Sequence, residues 1–265
     1  MIWLLNLQIP IWRLKRPESC RPTVCGRFAA VTPTPDLVAQ FAVEFQVPEA
    51  REVTPSWNIA PTLDIRVILE RIDKSSGEIT RQLRLAHWGL VPPWSKDPKI
   101  GARMINARSE TLDTKPSFRS AVKKQRCVIP ADGWYEWQKT SDGKKQPWYF
   151  HSPTDEVLAF AGLYELWADP NREPGDPARW LLSTTIITED ATDEHGHIHP
   201  RQPVLLHPEL VDQWIDPTQT SAELALQTLA APSPIVESHP VSSAVNRVAN
   251  DGPELIARVE NHTGG

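Results

Sequence analysis

The sequence predicts an α+β fold with a mainly antiparallel sheet, and two observations support this prediction. First, segments with the alternating or β-branched character of strands follow one another without a helix between each pair. Second, 26 of the 265 residues are proline, which disfavours long helices and favours short strands joined by rigid turns. The length suits one domain, or two small ones, with ample chain for a hydrophobic core.

The first predicted elements are a short helix and a hairpin. Thr34 and Pro35 provide an N-cap and a first-turn proline ahead of apolar residues at helical spacing up to Phe45. Residues 63–69 alternate as a strand does, and residues 73–77 turn the chain into a second strand that runs through Leu85. A short basic helix is predicted over residues 116–124.

The second half of the chain is predicted to supply most of the sheet. Strands are expected over residues 126–137, 146–151, 156–164 and 180–188, with a hairpin turn at residues 141–143. A surface loop is predicted over residues 168–178, and short helices are predicted over residues 208–214 and 221–229. No segment repeats at a fixed period.

The composition is typical of a globular protein, with 40% hydrophobic and 23% charged residues, and it excludes wholesale disorder. No apolar run approaches the roughly 18–20 residues of a membrane-spanning helix, so no membrane partner is expected. Cys20, Cys25 and Cys127 are too few for a disulfide scaffold, which indicates a reducing cytoplasm. The net charge of −5 argues against bulk nucleic-acid adhesion but leaves room for a local basic groove.

Residues 1–24 differ in character from the rest of the chain. Their apolar stretch precedes the basic residues, which is the reverse of the order in a secretory signal. Three interpretations stay open at this point: a mobile tail, a wrongly assigned translation start and a short membrane-surface anchor.

Three segments carry residue types suited to chemistry, and each also has a purely structural interpretation. Cys25 precedes a glycine that permits a tight turn, although an unpaired cysteine is most often a small buried hydrophobe. Residues 105–110 (Ile-Asn-Ala-Arg-Ser-Glu) combine an amide, a guanidinium and a carboxylate, which also fits a loop cap with a surface ion pair. Glu136 stands between large aromatic residues, where a desolvated carboxyl group with a raised pKa would suit general acid catalysis. A structural aromatic cluster explains that segment equally well.

A fourth segment contains three histidines at alternate positions. His195, His197 and His199 would share one face of an extended chain. Because no acidic or cysteine ligand stands at the usual spacing, no metal is expected there, and no cofactor is expected elsewhere.

Taken together, these segments resemble the SRAP family, the SOS-response-associated peptidases that are also called abasic-site processing proteins. The resemblance runs in the family's order from about residue 25 to residue 256 and rests on seven motifs: Cys25-Gly-Arg-Phe28, Trp57-Asn-Ile-Ala-Pro61, Trp88-Gly-Leu-Val-Pro92-Pro-Trp94, Ile105-Asn-Ala-Arg-x-Glu110, Ala131-Asp-Gly-Trp-Tyr-Glu-Trp137, Ile198-His-x-Arg-x-Pro203 and His239-Pro-Val-Ser with Val245-Asn246. It implies a single domain with a barrel-like β core over residues 25–258 and a flexible tail at 259–265. It also implies single-stranded DNA with an abasic site as the partner, a protective covalent crosslink, and a monomer in the cytoplasm that associates with the nucleoid when bound to DNA.

The chemistry implied by the resemblance requires an N-terminal cysteine. An abasic sugar opens to an aldehyde, which the α-amine, with a pKa of about 7.7–8.0, attacks to form a Schiff base. The thiol then closes a thiazolidine ring. By resemblance, Cys25 is this nucleophile. Asn106 would hold the amine or sugar, Glu136 would act as the acid/base group that opens the sugar ring, and His199 would assist proton transfer at the Schiff base and in reversal.

The resemblance also implies a surface that binds DNA. Arg27 and Arg108 would grip the flanking phosphates. Residues 96–126 contain nine basic against three acidic residues, a local net charge of +6, and this stretch brackets the Asn106 motif. We therefore expect Lys123 and Lys124 to contact phosphates, although a charge run is usually a solvated face. Exposed bases would stack on the tryptophans Trp88, Trp94 and Trp137.

The sequence departs from the family pattern in two places. Pro200 and Gln202 stand where the family more often has an acidic residue and a methionine. More seriously, Cys25 is internal as written, whereas the family's cysteine follows the initiator methionine. Because a GTG codon is read as valine within a gene but as methionine at its start, we expect translation to begin at Val24 and residues 1–23 to be an artefact. A genuine leader removed by self-cleavage is the rival explanation, and both predict a mature chain that begins with Cys25.

Three classes of function follow from the sequence. The first is a DNA-crosslinking enzyme with lyase-like Schiff-base chemistry. The second is a thiol peptidase, a hydrolase that uses Cys25 as nucleophile and His199 as base. The third is a non-covalent binder of single-stranded DNA.

Overall fold

The structure is a computed structural model that describes residues 25–192 and 194–260. These residues form fourteen strands: β1 (Phe28–Ala30), β2 (Phe45–Gln46), β3 (Ser56–Ile59), β4 (Asp64–Ile72), β5 (Ile79–Trp88), β6 (Asn106–Arg108), β7 (Arg126–Ala131), β8 (Gly133–Lys139), β9 (Lys145–His151), β10 (Leu158–Ala168), β11 (Trp180–Asp190), β12 (Arg201–Pro203), β13 (Leu205–Leu206) and β14 (Glu237–Pro240).

The helices of the same residues are all short, as the proline content predicts. The α-helices are α1 (Thr34–Gln40), α2 (Pro48–Arg51), α3 (Ala121–Lys124), α4 (Val211–Ile215) and α5 (Ala222–Leu229). Turns of 3₁₀-helix occur at Pro98–Arg103, Ser109–Thr111, Pro177–Arg179, Pro208–Leu210, Ser243–Asn246 and Pro253–Leu255. Within the described residues, no helix is both long and apolar enough to cross a bilayer.

Five strands close a β-barrel at the centre of the molecule. Antiparallel pairs join β11, β10, β7, β4 and β5 in that order, and a parallel pairing of β5 with β11 closes the ring at Ser183 and Thr184. The parallel strands β2 and β6 extend it at β5 and β11. The prediction of an α+β fold with a mainly antiparallel, barrel-like core is confirmed.

A second sheet carries the residues of the candidate site. Its five strands are entirely antiparallel and follow the order β14, β9, β8, β1 and β3. The hairpin of β8 and β9 turns at residues 141–143, as predicted, with Lys139 opposite Lys145 and Gly143 in the left-handed region at φ +82°. Since side chains alternate along a strand, each face of this sheet packs against a different core.

Three apolar cores separate the layers. The helix-side core includes Leu37, Val122, Val128 and Trp214 and lies between the barrel and the helices. The inter-sheet core lies between the barrel and the second sheet, and its members include Cys25, Phe28, Val67, Trp88, Ile129, Trp134, Phe150 and Phe160. The outer core covers the other face of the second sheet with Ala29, Tyr135, Tyr149, Val241, Val245 and Leu255.

The single strand predicted over residues 126–137 is two strands in different sheets. β7 ends in the barrel at Ala131, and β8 begins in the second sheet at Gly133. Asp132 connects the two strands, and its carboxylate fixes the connection by accepting hydrogen bonds from the main-chain nitrogens of Val31 and Thr32. A Cβ at Gly133 would lie 2.3 Å from the carbonyl oxygen of Phe150, so a side chain does not fit at this junction.

Two helix predictions were wrong in detail. Pro33 occupies the N-cap of α1, and Thr34 is the first helical residue, with its hydroxyl directed to the carbonyl oxygen of Ala50. Of the predicted basic helix over residues 116–124, only α3 is α-helical, and turns precede it.

Candidate functional site

Glu136 is a buried carboxyl group on the inner face of β8. Alternation along the strand directs Trp134 and Glu136 inward, and the side chain of Glu136 is only 2% exposed. Trp134 stacks on Phe150 of β9 with ring centroids 4.7 Å apart, and Trp148 pairs with Glu136 across the hairpin. Burial raises the pKa of Glu136 well above its ordinary value, although a hydrogen bond from the main chain of Cys25 opposes the shift. Burial therefore favours the protonated form of this carboxyl group.

Cys25 meets Glu136 across 111 residues of sequence. Its main-chain nitrogen donates a hydrogen bond to Oε1 of Glu136 over 2.7 Å. The side chain is fully buried, and burial, together with the charge of Glu136, raises the pKa of the thiol well above its ordinary value. The backbone of Cys25 is left-handed, at φ +40°, which costs a residue with a side chain about 1–2 kcal/mol.

His199 completes this buried group. Its Nδ1 lies 3.7 Å from Oε2 of Glu136 and 3.0 Å from the carbonyl oxygen of Arg201, to which it can donate. Nδ1 also lies 3.2 Å from the main-chain nitrogen of Arg201, from which it accepts in the other tautomer, and either tautomer leaves one ring nitrogen unprotonated. Burial lowers the pKa of His199, and the positive charges of Lys145 and Arg201 lower it further. The imidazole is therefore neutral near pH 7 and suited to accept a proton.

Arg201 anchors the loop of His199, although its sequence motif did not by itself mark it as a site residue. Its buried guanidinium binds the carboxylates of Glu110 and Asp190 and donates to the carbonyl oxygen of Thr188 over 2.7 Å. Glu110 belongs to the same motif as Asn106, so this ion pair joins that motif to the loop of His199. The signal was available in the sequence, because Arg201 is the arginine of the His-x-Arg-x-Pro motif.

Asn106 and Arg108 lie at the ends of strand β6. Parallel pairing with β11 sets Asn106 opposite Ile186 and Arg108 opposite Thr188. The preceding residue, Ile105, packs in the inter-sheet core together with Cys25. Asn106 is half-buried and Arg108 is exposed.

Arg27 and Trp137 are both held by the chain that follows β14. Nη1 of Arg27 donates to Oδ1 of Asn58 over 2.8 Å and to the carbonyl oxygen of Val245 over 2.9 Å. Nε1 of Trp137 donates to Oδ1 of Asn246 over 2.7 Å. Burial lowers the pKa of Arg27, and both side chains remain half-buried, so each still has accessible surface.

The three tryptophans proposed to stack on bases differ in exposure. The prediction for Trp88 was wrong: its side chain is fully buried in the inter-sheet core, and its Nε1 donates to the carbonyl oxygen of Ile105. The ring of Trp88 is fully buried and packs against Phe28 with centroids 5.2 Å apart, so neither of its faces is open to a base. Trp94 is 59% exposed, and Trp167 supports its loop by donating to the carbonyl oxygen of Ser95.

The basic stretch does not form one surface. Lys123 and Lys124 are exposed on α3, but the buried residues of this helix pack in the helix-side core, whereas Cys25 lies in the inter-sheet core. Arg126 is not a phosphate ligand, because its guanidinium is buried and donates to the carbonyl oxygens of Trp214 and three other residues.

The three alternate histidines face different neighbours. His195 packs edge-on against Phe150, and His197 lies edge-on to Trp148. In the part of the chain that the structure describes, no group of three His, Cys, Asp or Glu side chains could hold a metal ion.

Comparison with known proteins identifies the family. Residues 24–248 match the sequence model of the family described as SOS response associated peptidase (SRAP). The chain belongs to the SRAP family. The abasic site processing protein YoqW of Bacillus subtilis is 41% identical over 235 residues, which cover 88% of this chain and 99% of that protein. The abasic site processing protein HMCES of Gallus gallus is 35% identical over 231 residues, covering 78% of this chain and 67% of that protein.

Solved structures share this SRAP fold. A Bacteroides thetaiotaomicron protein superposes with a TM-score of 0.73 at 21% identity, covering 89% of this chain and 100% of that one. A phage-related protein from Bordetella bronchiseptica has a TM-score of 0.57 at 31% identity, covering 82% of this chain and 94% of that one. The boundary predicted between residues 24 and 25, and most of the predicted C-terminal tail, lie outside the described residues.

Proposed function

We propose that this SRAP protein processes abasic sites in single-stranded DNA by forming a covalent thiazolidine crosslink through Cys25. The observation that carries the proposal is the 2.7 Å hydrogen bond between the main-chain nitrogen of Cys25 and the buried carboxyl group of Glu136. In a chain that begins at Cys25, this nitrogen is the α-amine. The similar proteins YoqW and HMCES are named abasic site processing proteins, which supports the choice of substrate.

Burial favours the protonation states that the reaction needs. An ammonium and a carboxylate would form an ion pair that is poorly solvated where both Cys25 and Glu136 are buried. Moving one proton from nitrogen to oxygen converts this ion pair into a neutral amine and a neutral carboxylic acid. The amine is then the nucleophile and Glu136 is the general acid, at a separation that allows direct proton transfer.

The reaction is a condensation without oxidation or reduction. The amine nitrogen adds to the aldehyde carbon of the open sugar, and loss of the oxygen as water gives the Schiff base. The thiol of Cys25 then adds to the same carbon. One C–N bond and one C–S bond form, and the released water takes one hydrogen from the amine and one from the thiol. Because the thiol keeps its proton at neutral pH, ring closure needs a base, and the neutral imidazole of His199 can act as one.

The remaining candidate residues bind and orient the strand. Asn106 would hold the sugar or the amine, and Arg27 and Arg108 would bind phosphates on either side of it. The exposed Trp94 and the half-buried Trp137 would stack on bases, which is an interaction that tolerates any base sequence.

A denaturing gel tests the proposed crosslink. A chain that begins at Cys25 is incubated with an abasic oligonucleotide and boiled, and we expect a protein–DNA complex whose mass equals the sum of both minus one water. Cys25→Ser should give no stable complex. Cys127→Ser is the matched control, because Cys127 is also a buried free cysteine, and it should crosslink normally. A wild-type chain that gives no boiling-stable complex would refute the proposal.

Self-cleavage before Cys25 is a second candidate activity. The nitrogen that would leave from the peptide bond is the one that donates to Glu136, so the carboxyl group is placed to protonate it. Mass spectrometry of the native protein separates the possibilities. Conversion of a full-length precursor over time supports self-cleavage. Detection at all times of only the chain that begins at Cys25, with no longer precursor, supports a translation start at residue 24. An intact chain from Met1 that still crosslinks through Cys25 would contradict the proposed chemistry.

Cleavage of other proteins has less support from the site. A thiol peptidase needs a cysteine whose pKa is lowered by a neighbouring positive charge. Here burial raises the pKa of Cys25, and the imidazole of His199 lies beside Glu136. Hydrolysis of peptide substrates that depends on Cys25 and His199 would favour this alternative.

A further inference from the structure

The segment of residues 243–250 lies against the outer face of the second sheet. Its 3₁₀-turn Ser243–Asn246 buries Val245 completely in the outer core, beside Tyr135 and Leu255. This segment follows β14 and contains the end of the last motif found in the sequence, to which the proposed function assigns no role.

One buried amide fixes the course of this segment. Nδ2 of Asn58 donates to the carbonyl oxygens of Val245, Arg247 and Asn250 over 3.2, 3.1 and 2.8 Å. Asn58 is only 3% exposed and belongs to strand β3. The segment is therefore attached to the sheet at three points by a side chain from a strand more than 180 residues earlier.

The same segment holds two of the side chains proposed to bind DNA. The carbonyl oxygen of Val245 accepts from Arg27, and Oδ1 of Asn246 accepts from Trp137. Arg247 is the next residue, and its side chain is exposed. Two residues of chain span at most about 7 Å, so the backbone of Arg247 lies close to the guanidinium of Arg27. Arg247 forms no ion pair with any residue in the ranges 25–192 and 194–260.

We propose that residues 243–250 are part of the surface that binds single-stranded DNA, and that Arg247 contacts a phosphate next to the one bound by Arg27. The inference rests on the proposed function, because it takes the strand to pass over Arg27 and Trp137. It adds a phosphate ligand outside the basic stretch of residues 96–126. The backbone around Arg247 is already fixed by Asn58, so only the side chain must become ordered when a phosphate binds.

The salt dependence of binding to undamaged single-stranded DNA tests this role. Each lost phosphate contact reduces the slope of log K against log salt by about 0.7. Between about 50 and 200 mM salt, the affinity of Arg247→Gln should therefore fall about 2.6-fold less than that of the wild type. Arg247→Lys retains the charge and should keep most of the wild-type slope.

Arg258→Gln is the matched control. It removes the same charge from another exposed arginine of the C-terminal region, whose main chain pairs with Val241 and whose charge acts on His239. Its slope should equal that of the wild type. If Arg247→Gln and Arg258→Gln change the slope equally, the effect is one of overall charge and the inference is wrong. If the wild type crosslinks but the slope of Arg247→Gln is unchanged, the inference fails and the proposed function stands. A wild type that neither binds nor crosslinks overturns both.

Discussion

Replacing Glu136 with glutamine tests the centre of the proposed mechanism. Glutamine has nearly the same shape as a protonated glutamic acid, so its carbonyl oxygen can still accept the hydrogen bond from the nitrogen of Cys25. It has no acidic proton, and it cannot protonate the ring oxygen of the sugar or the departing water. General acid catalysis contributes about 10²–10⁴-fold to a rate, so crosslink formation should slow by at least about 10²-fold.

The pH dependence of the rate gives a more specific test. The wild-type rate should fall at low pH because the α-amine becomes protonated, and at high pH because Glu136 ionises above its raised pKa. The rate of the glutamine variant should still fall at low pH but should no longer fall at high pH. Rates are measured from the fraction of boiling-stable complex over time, with an oligonucleotide whose abasic sugar is mainly in the closed ring form. Wild-type rates in the variant would refute the assignment of Glu136 as the acid.

Stability separates this effect from damage to the fold. The carboxyl group of Glu136 has a higher pKa in the folded chain than the roughly 4.3 expected in the unfolded chain. Between these two values the folded state retains a proton that the unfolded state has lost, so the free energy of unfolding decreases by about 1.4 kcal/mol per pH unit. Glutamine removes this decrease, and the variant should become more stable than the wild type as the pH rises through that window. A variant that is less stable at every pH would mean that the site is distorted.

Glu165→Gln is the matched control for both measurements. Glu165 is also a buried glutamate, with a pKa raised by burial to about 7, but its carboxylate accepts a hydrogen bond from Gln125. Its replacement should change the pH dependence of stability in the same direction and leave the crosslinking rate unchanged. Equal loss of crosslinking in both variants would contradict a specific role for Glu136.

Three further predictions follow from the positions of individual side chains. His199→Ala should slow reversal of the crosslink by about 10²-fold, measured as loss of complex after transfer to excess competitor, and an unchanged reversal rate would exclude this role. Neutralising Lys123 and Lys124 tests whether α3 contacts DNA despite packing on the helix-side core: a salt slope of single-strand binding that flattens by about 0.7 per lost contact would support the contact, and an unchanged slope would remove α3 from the binding surface. Trp94→Ala should weaken binding to undamaged single strands about fivefold or more, whereas the equally exposed Trp180 serves as a control whose replacement should have no effect on Kd.

The fold class and several of the strands could be predicted from the sequence because both depend on local patterns. Alternation over residues 63–69, the turn at residues 141–143 and the prolines that keep helices short each act within a few residues of chain. Family membership could be predicted in the same way, since seven motifs in a fixed order need no coordinates. The residue types of the site, including Cys25, Glu136 and His199, could likewise be selected from their motifs.

The exposure and partners of these residues depended on contacts between distant segments. Trp88 and Trp94 belong to one motif, yet the barrel buries Trp88 and leaves Trp94 exposed, because a strand ends at Trp88 and a loop carries Trp94. Lys124 and Arg126 are two residues apart, but only Arg126 enters the core, where carbonyl groups from residues 88 to 93 positions away accept from its guanidinium. The contact of Cys25 with Glu136 spans 111 residues and exists only because β1 pairs with β8. Hydropathy and spacing describe what a residue can do, whereas packing in three dimensions sets its solvation and its neighbours, and these determine its pKa and its chemistry.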